Sequence, residues 1–132
     1  VLTTVSLAPA GVLAQGQYLV VGPPNLMIDP GALKVDFAKA IDNLQNDTEG
    51  LALVDVGGPT LLDALSYEGS ITMANLPNLP GTTLVEGTAF TGADSNTTQR
   101  TLARLPTGND KNNAATDWVL SKTPTAGAAN LV

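Results

Sequence analysis

The chain has no cysteine and no histidine, and its rings are one Trp, two Tyr and two Phe. Six basic residues stand against twelve acidic ones. Each shortage removes a class of function. Without imidazole or thiol there is no histidine base, thiolate nucleophile, zinc finger, iron–sulfur centre or disulfide. The lack of cysteine is neutral about compartment, since it suits a secreted bacterial protein as well as a cytosolic one. A net charge of −6 and an isoelectric point near 4.2 oppose binding to a polyanion, which needs clustered Lys and Arg. No nucleic-acid contact is expected. Apolar runs such as Tyr18-Leu19-Val20-Val21 fall far short of the roughly 20 residues of a membrane helix, so no transmembrane segment is expected.

What is present is aliphatic and heavily punctuated. Of 132 residues, 43% are hydrophobic, and 13 Gly and 9 Pro interrupt them. A folded chain of 13.4 kDa exposes roughly 6,500 Å² against roughly 19,000 Å² unfolded, enough burial for one core and too little for two. Residues 1–132 are therefore read as a single domain. There is no heptad repeat and no secretory apolar region; Val1 opens the chain without a Met, and a processed or excised segment is expected.

Short strand-like runs lie between turn residues. Val1 to Leu7 is β-branched and ends at Ala8-Pro9-Ala10-Gly11. Gln17 to Gly22 is the strongest candidate, stopped by Pro23 and Pro24, which cannot donate to a ladder. Leu51 to Val56 and Leu61 to Tyr67 read as a hairpin across Gly57-Gly58-Pro59. Leu84 to Phe90, Thr101 to Leu105 and Thr116 to Ser121 follow. Ala32 to Gln45 supports two readings: a short helix with Leu33, Phe37, Ala40, Ile41 and Leu44 near one face, or a strand in its alternating first half. Asn75 to Gly81 reads as a Pro-spaced loop and Gly92 to Gln99 as a polar loop. About seven short strands with frequent turns predict an all-β sandwich or small barrel.

Several segments, in order, resemble the lamin tail domain. Leu13 to Gly22 is similar to the family's L-x-x-G-x-Y-L-V-V turn and strand. Leu44 to Asp55 resembles Q-N-x-x-D-G-x-A-L-x-D, with Glu49 where Asp is usual. Asp63 to Tyr67 matches x-D-x-x-x-Y. Arg100 to Asp110 is similar to S-L-x-R-x-P-D-G-x-D, with Thr101 for Ser and Thr107 for Asp. Asp117-Trp118 and Thr123 to Asn130 resemble the closing D-W … T-P-G-A-A-N, with Thr125 and Ala126 inserted. No single motif is specific; their order over nearly the whole chain carries the likeness, and it points to bacterial extracellular members rather than nuclear lamins.

The resemblance implies an immunoglobulin-like β-sandwich with at most one short helix near 32–45. It also implies a non-catalytic structural or binding module, secreted or on a bacterial cell surface. The alternative is an accessory domain that targets a secreted nuclease or phosphatase. The family's opening strand pair has no counterpart before Val1, so the sandwich is expected to be incomplete at its N-terminus and the chain a fragment of a larger protein. An upstream segment of the same polypeptide, a protein partner, or a second copy pairing through exposed edge strands would complete it.

Individual residues carry little chemistry. Asp63 shares strand parity with Leu61, Leu65 and Tyr67, so an inward face buries its carboxylate and demands a partner, Arg100 or Arg104. Asn109-Asp110-Lys111-Asn112-Asn113 and Asp117 offer oxygen atoms of the kind calcium takes. They lack the EF-hand spacing, and Lys111 opposes a dication, so the segment is read as a turn. Ser66, Ser70 and Ser95 have no histidine to activate them and no Gly-x-Ser-x-Gly elbow. Asn46 and Asn96 open glycosylation sequons that matter only in a eukaryotic secretory host. Trp118 is read as a core plug with its N–H on a carbonyl. No residue is assigned a catalytic, cofactor-binding or metal-ligating role, and no cofactor is expected.

Overall fold

The computed structural model describes residues 3–40, 43–45, 47–93, 95, 97 and 100–131. Among them the chain is built mostly of strands, arranged as four two-stranded sheets, with almost no helix. No helix among the described residues is long and apolar enough to cross a membrane.

β1 (Leu19–Gly22) and β2 (Leu33–Asp36) run parallel, with Leu19 opposite Leu33 and Gly22 opposite Asp36. Pro23 and Pro24 end β1 where the turn residues predict it. The ladder continues beyond both ends, since Leu33 N–H donates to Tyr18 C=O and Phe37 N–H to Gly22 C=O. Of the two readings of 32–45, the strand is therefore the one adopted. Leu33, Val35 and Phe37 alternate against β1, and Val35 is buried. No helix follows through residue 40 or in 43–45, while Ile41 and Asp42 lie outside the described residues. Isolated helices this short are marginal, whereas β1 supplies ladder partners at once.

β3 (Glu49–Asp55) and β4 (Thr60–Tyr67) form the expected hairpin, antiparallel and starting two residues earlier than the apolar run. The Asp55 carboxylate accepts the Gly57 N–H at 2.9 Å, and the Thr60 hydroxyl donates to Gly58 C=O at 2.6 Å, closing the turn. Leu53 faces Asp63 and Val54 faces Leu61, so Leu62 is a bulged residue left without an opposite partner. Leu62 is correspondingly exposed, whereas Ala64, Leu65 and Ser66 are all buried, both faces of β4 being covered.

Three expectations are corrected. Asn75 to Gly81 is no loop: Ala74–Leu76 (β5) and Leu79–Thr82 (β6) pair antiparallel around Pro77-Asn78. Pro77 pre-sets one turn position, and Asn78 takes the left-handed backbone at φ 60° that the next requires. Leu84 to Phe90 is no strand. Leu84 is buried and donates its N–H to Ile71 C=O, but Gly87 turns to φ 56°, where a Cβ would sit 2.8 Å from the Asn112 carbonyl oxygen. The segment runs instead as a strap whose Glu86 and Thr88 carbonyls take the N–H groups of Ala114 and Ala115. Residues 3–7 form no strand either, because no described segment pairs with them; Val1 and Leu2 lie outside the described residues.

β7 (Thr101–Arg104) pairs antiparallel with β8 (Trp118–Ser121), Arg104 opposite Trp118. The expected strand from Thr116 begins late, because Ala114–Asp117 makes one helical turn, α1, before the chain extends. Buried apolar residues among those described are Val35, Ala64, Leu65, Leu84, Ala103 and Ala114, three of them alanines. The exposed surface is 8445 Å², well above the roughly 6,500 Å² of a compact chain this size. So thin an apolar core leaves side-chain and edge contacts to decide how the sheets are held.

Replacing Asn78 by Val should lower stability by about 1–2 kcal/mol, the cost of a β-branched residue in left-handed backbone. Asn78→Gly should stay within about 0.5 kcal/mol of the native chain. Urea denaturation of the two variants checks this, and equal losses would show that the turn geometry is not what matters.

Candidate functional site

Three carboxylates converge on the largely buried Arg104, at the end of β7. Its two terminal nitrogens donate to both oxygens of Asp63 on β4, at 2.9 and 2.8 Å. The expectation that Asp63 meets an arginine holds, and Arg104 rather than Arg100 supplies it. One of those nitrogens also lies 3.4 Å from Glu86 on the strap, and the other 3.5 Å from Asp110. The guanidinium carbon sits 4.8 Å from the centre of the Trp118 ring, directly across the β7–β8 ladder. A planar fork that binds a carboxylate in two places and stacks on a ring is a task for arginine rather than lysine.

The electrostatics follow from this crowding. Burial alone would lower the Arg104 pKa, but the hydrogen bonds to Asp63 and the charges of Asp63, Asp110 and Glu86 outweigh it and hold it above its ordinary value. Burial pushes the Glu86 carboxyl up. The Ala64 N–H, 3.2 Å away, and Arg104 work against that rise, while Asp63 and Asp110 add to it. At the outer end of the hairpin, burial raises the Tyr67 hydroxyl, helped by its 3.0 Å hydrogen bond to Glu49 and by the charges of Glu49 and Glu68. Tyr67 is therefore a neutral donor at any ordinary pH.

Asp117, fully buried at the end of α1, organises the Asn-rich segment. Its carboxylate accepts the backbone N–H groups of Lys111 at 2.7 Å and Asn113 at 3.1 Å, the Thr116 hydroxyl at 3.2 Å and the Asn109 amide at 3.4 Å. Asp110 in turn accepts the Asn112 N–H at 3.1 Å, with Asn112 at φ 54°. The turn reading of this segment therefore stands. Burial would raise the Asp117 carboxyl, yet the donors from Lys111, Asn113 and Thr116, with the Arg104 charge, hold it below its ordinary value. Among the described residues no group of three His, Cys, Asp or Glu is placed to hold a metal ion.

The remaining candidates are placed as follows. The Ser66 hydroxyl is buried, donating to Gly69 C=O at 2.8 Å and accepting the Ile71 N–H at 3.0 Å, so it braces a turn. Ser70 lines a shallow depression of about 440 Å³ with Asp47, Glu68 and Phe90. Ser95 bonds the Thr97 hydroxyl. A second depression of about 330 Å³ lies between Gln17, Asp29 and Ala128, and neither depression reaches Arg104. Asn46 and Asn96 lie outside the described residues. Trp118 is partly buried under the Arg104 guanidinium, and one part of its reading is corrected: its buried N–H finds no carbonyl and is left without a protein partner, as is the Arg104 Nε. Reading by residue type missed Glu86, Asp117 as an organiser, and Ser121, whose buried hydroxyl donates to Leu131 C=O at 2.6 Å and pins the C-terminal segment. Only the D-W motif hinted at the second of these.

Compared with models of known protein families, with curated proteins and with solved structures, the chain matches none.

Removing Arg104 leaves Asp63, Glu86 and Asp110 facing one another without a cation. Arg104→Met should cost about 2–3 kcal/mol, the penalty for breaking a buried pair discounted for the partly exposed Asp63. Asp63→Asn should cost less, and the double variant should recover part of the sum in a double-mutant cycle of urea unfolding. Additive losses would mean that the pair is not coupled.

Acid tests Asp117. Its folded value lies below the roughly 3.9 of an unfolded Asp, so its contribution is complete above that pH and disappears as pH falls through the folded value. Glu86 runs the other way: its stabilisation is present at low pH and fades as pH rises through its raised value. The urea midpoint should therefore climb between pH 2 and pH 4 (on the order of the unfolded value and below) in the native chain, and this climb should flatten in Asp117→Asn. An unchanged slope would remove Asp117 as its source.

Proposed function

We propose that the chain is a non-catalytic binding and structural module, an immunoglobulin-like sandwich of the lamin-tail type that works outside a bacterial cell. One observation carries this reading. The acid–base groups that burial brings together are saturated by one another, Asp63 by two bonds from Arg104 and Asp117 by four donors, and they tie β4, β7, α1 and the strap into one unit. A general acid or base needs a proton-transfer partner within reach in a cleft. Here each carboxylate already has a structural partner. The strand-rich architecture, the Tyr67 of the x-D-x-x-x-Y segment on β4 and the D-W pair at the head of β8 fit the family pattern and support the sandwich. Placement outside the cell rests on the sequence likeness.

Incubating the folded chain with phosphodiester, phosphomonoester and glycoside substrates should give background rates only. Turnover that disappears in Asp63→Asn or Glu86→Gln would make the chain an enzyme and overturn the reading.

A further inference from the structure

Among the described residues the long strand β3 is paired on one side only. Its strand neighbour among them is β4 alone, and none of its backbone groups from Gly50 to Asp55 takes part in any other described hydrogen bond. Ala64 N–H donates to the Glu86 carboxylate, so it points away from β3. In an antiparallel pair, opposite residues turn their N–H and C=O groups the same way, both inward or both outward. Ala52 lies opposite Ala64, so its N–H and C=O point outward along the free edge, and by the two-residue period so do those of Gly50.

This edge lacks the usual protection. Between Glu49 and Asp55 the residues are Gly, Leu, Ala, Leu and Val, with no Lys and no Pro to discourage pairing, and Leu51 and Leu53 are 47% and 44% exposed. The apolar stretch is framed by acid, with Asp47 and Glu49 at one end and Asp55 at the other, and none of the three is in an ion pair among the described residues. That framing selects among occupants. A second copy laid antiparallel over the whole edge would set Glu49 against Asp55 twice, between chains that each carry a net charge of −6.

We propose that the β3 edge binds an extended segment of a partner protein as an added strand, with alternate apolar residues over Leu51 and Leu53 and Lys or Arg at both ends. Main-chain bonds to Gly50 and Ala52 supply affinity, and the acidic ends supply selection and faster encounter. Glu49 and Asp55 are six residues apart, so the basic residues of the incoming strand are spaced by about 20 Å. The proposal rests on the binding-module reading and names the site and partner chemistry within it.

The test uses two labelled heptapeptides with the same Thr-Val-Thr-Val-Thr centre, one flanked by Lys and one by Glu, titrated with the folded chain by fluorescence anisotropy. The Lys-flanked peptide should bind at least about tenfold more tightly at low salt, lose that advantage as salt rises, and slow amide exchange at Gly50 and Ala52. Ala52→Pro removes an outward N–H without touching the β3–β4 ladder, and should abolish binding. Leu53→Lys, which puts a cation on the exposed face, should weaken it at least about tenfold and serves if the proline variant does not fold. Equal binding of the two peptides, no binding at 1 mM, undiminished binding to a folded variant, or a species of about 27 kDa, twice the 13.4 kDa chain, held through β3 would each overturn the proposal. Those outcomes are distinct from enzymatic turnover, which alone overturns the module reading.

Discussion

The two-point contact between Arg104 and Asp63 is the constraint on which the arrangement depends. It joins β7 to β4, two strands that share no ladder, and it draws Glu86 and Trp118 to the same guanidinium. A buried ion pair seldom adds much over an apolar contact of equal volume, because desolvation consumes most of the Coulombic gain. Its value here is in geometry. A fork that fits a carboxylate in one orientation fixes how one hairpin lies on another, which a contact between alanines cannot do. Asp117 serves the adjoining segment in the same manner, by gathering backbone donors that Lys111 and Asn113 would otherwise present to no partner.

Polar fastening of this kind suits a chain with a thin core. Three of the six buried apolar residues among those described are alanines, and its surface exceeds that of a compact domain of equal mass. Two-stranded sheets leave edges, and edges are either blunted or used. The bulge at Leu62 bends the β4 side of the long hairpin, and Glu86 caps an outward N–H there, so that side is blunted. The β3 side is not. That asymmetry is the feature on which the proposed added strand rests.

Much of the strand inventory is legible along the chain, for identifiable reasons. Pro23 and Pro24 must end β1, since neither can donate; Gly57-Gly58-Pro59 between two aliphatic runs must turn; and an inward Asp63 must find a cation. Other segments mislead because their outcome depends on a neighbour. Leu84 to Phe90 has apolar residues at both ends like a short strand, but Asn112 approaches closely at Gly87 and the segment runs as a strap. Asn75 to Gly81 looks like a loop because of its prolines, yet Pro77 fits the first central position of a turn and Asn78 the left-handed second one, and Pro80 sits on a strand with one partner among the described residues. Residues 3–7 have strand propensity and no ladder to join among the described residues. In 32–45 the helical and strand periods are balanced, and β1 tips the balance.

Composition by itself removed imidazole and thiol chemistry, denied the chain a basic surface, and set a strand-rich, turn-punctuated architecture, because those properties reside in residue types and local spacing. It also required that Asp63 be paired. Which arginine would pair with it, that Glu86 and Trp118 would join them, that Asp117 would organise a turn, and that β3 would keep one edge open were decided by the tertiary structure. Each depends on a distance between residues far apart in the chain, and local periodicity carries no information about such distances.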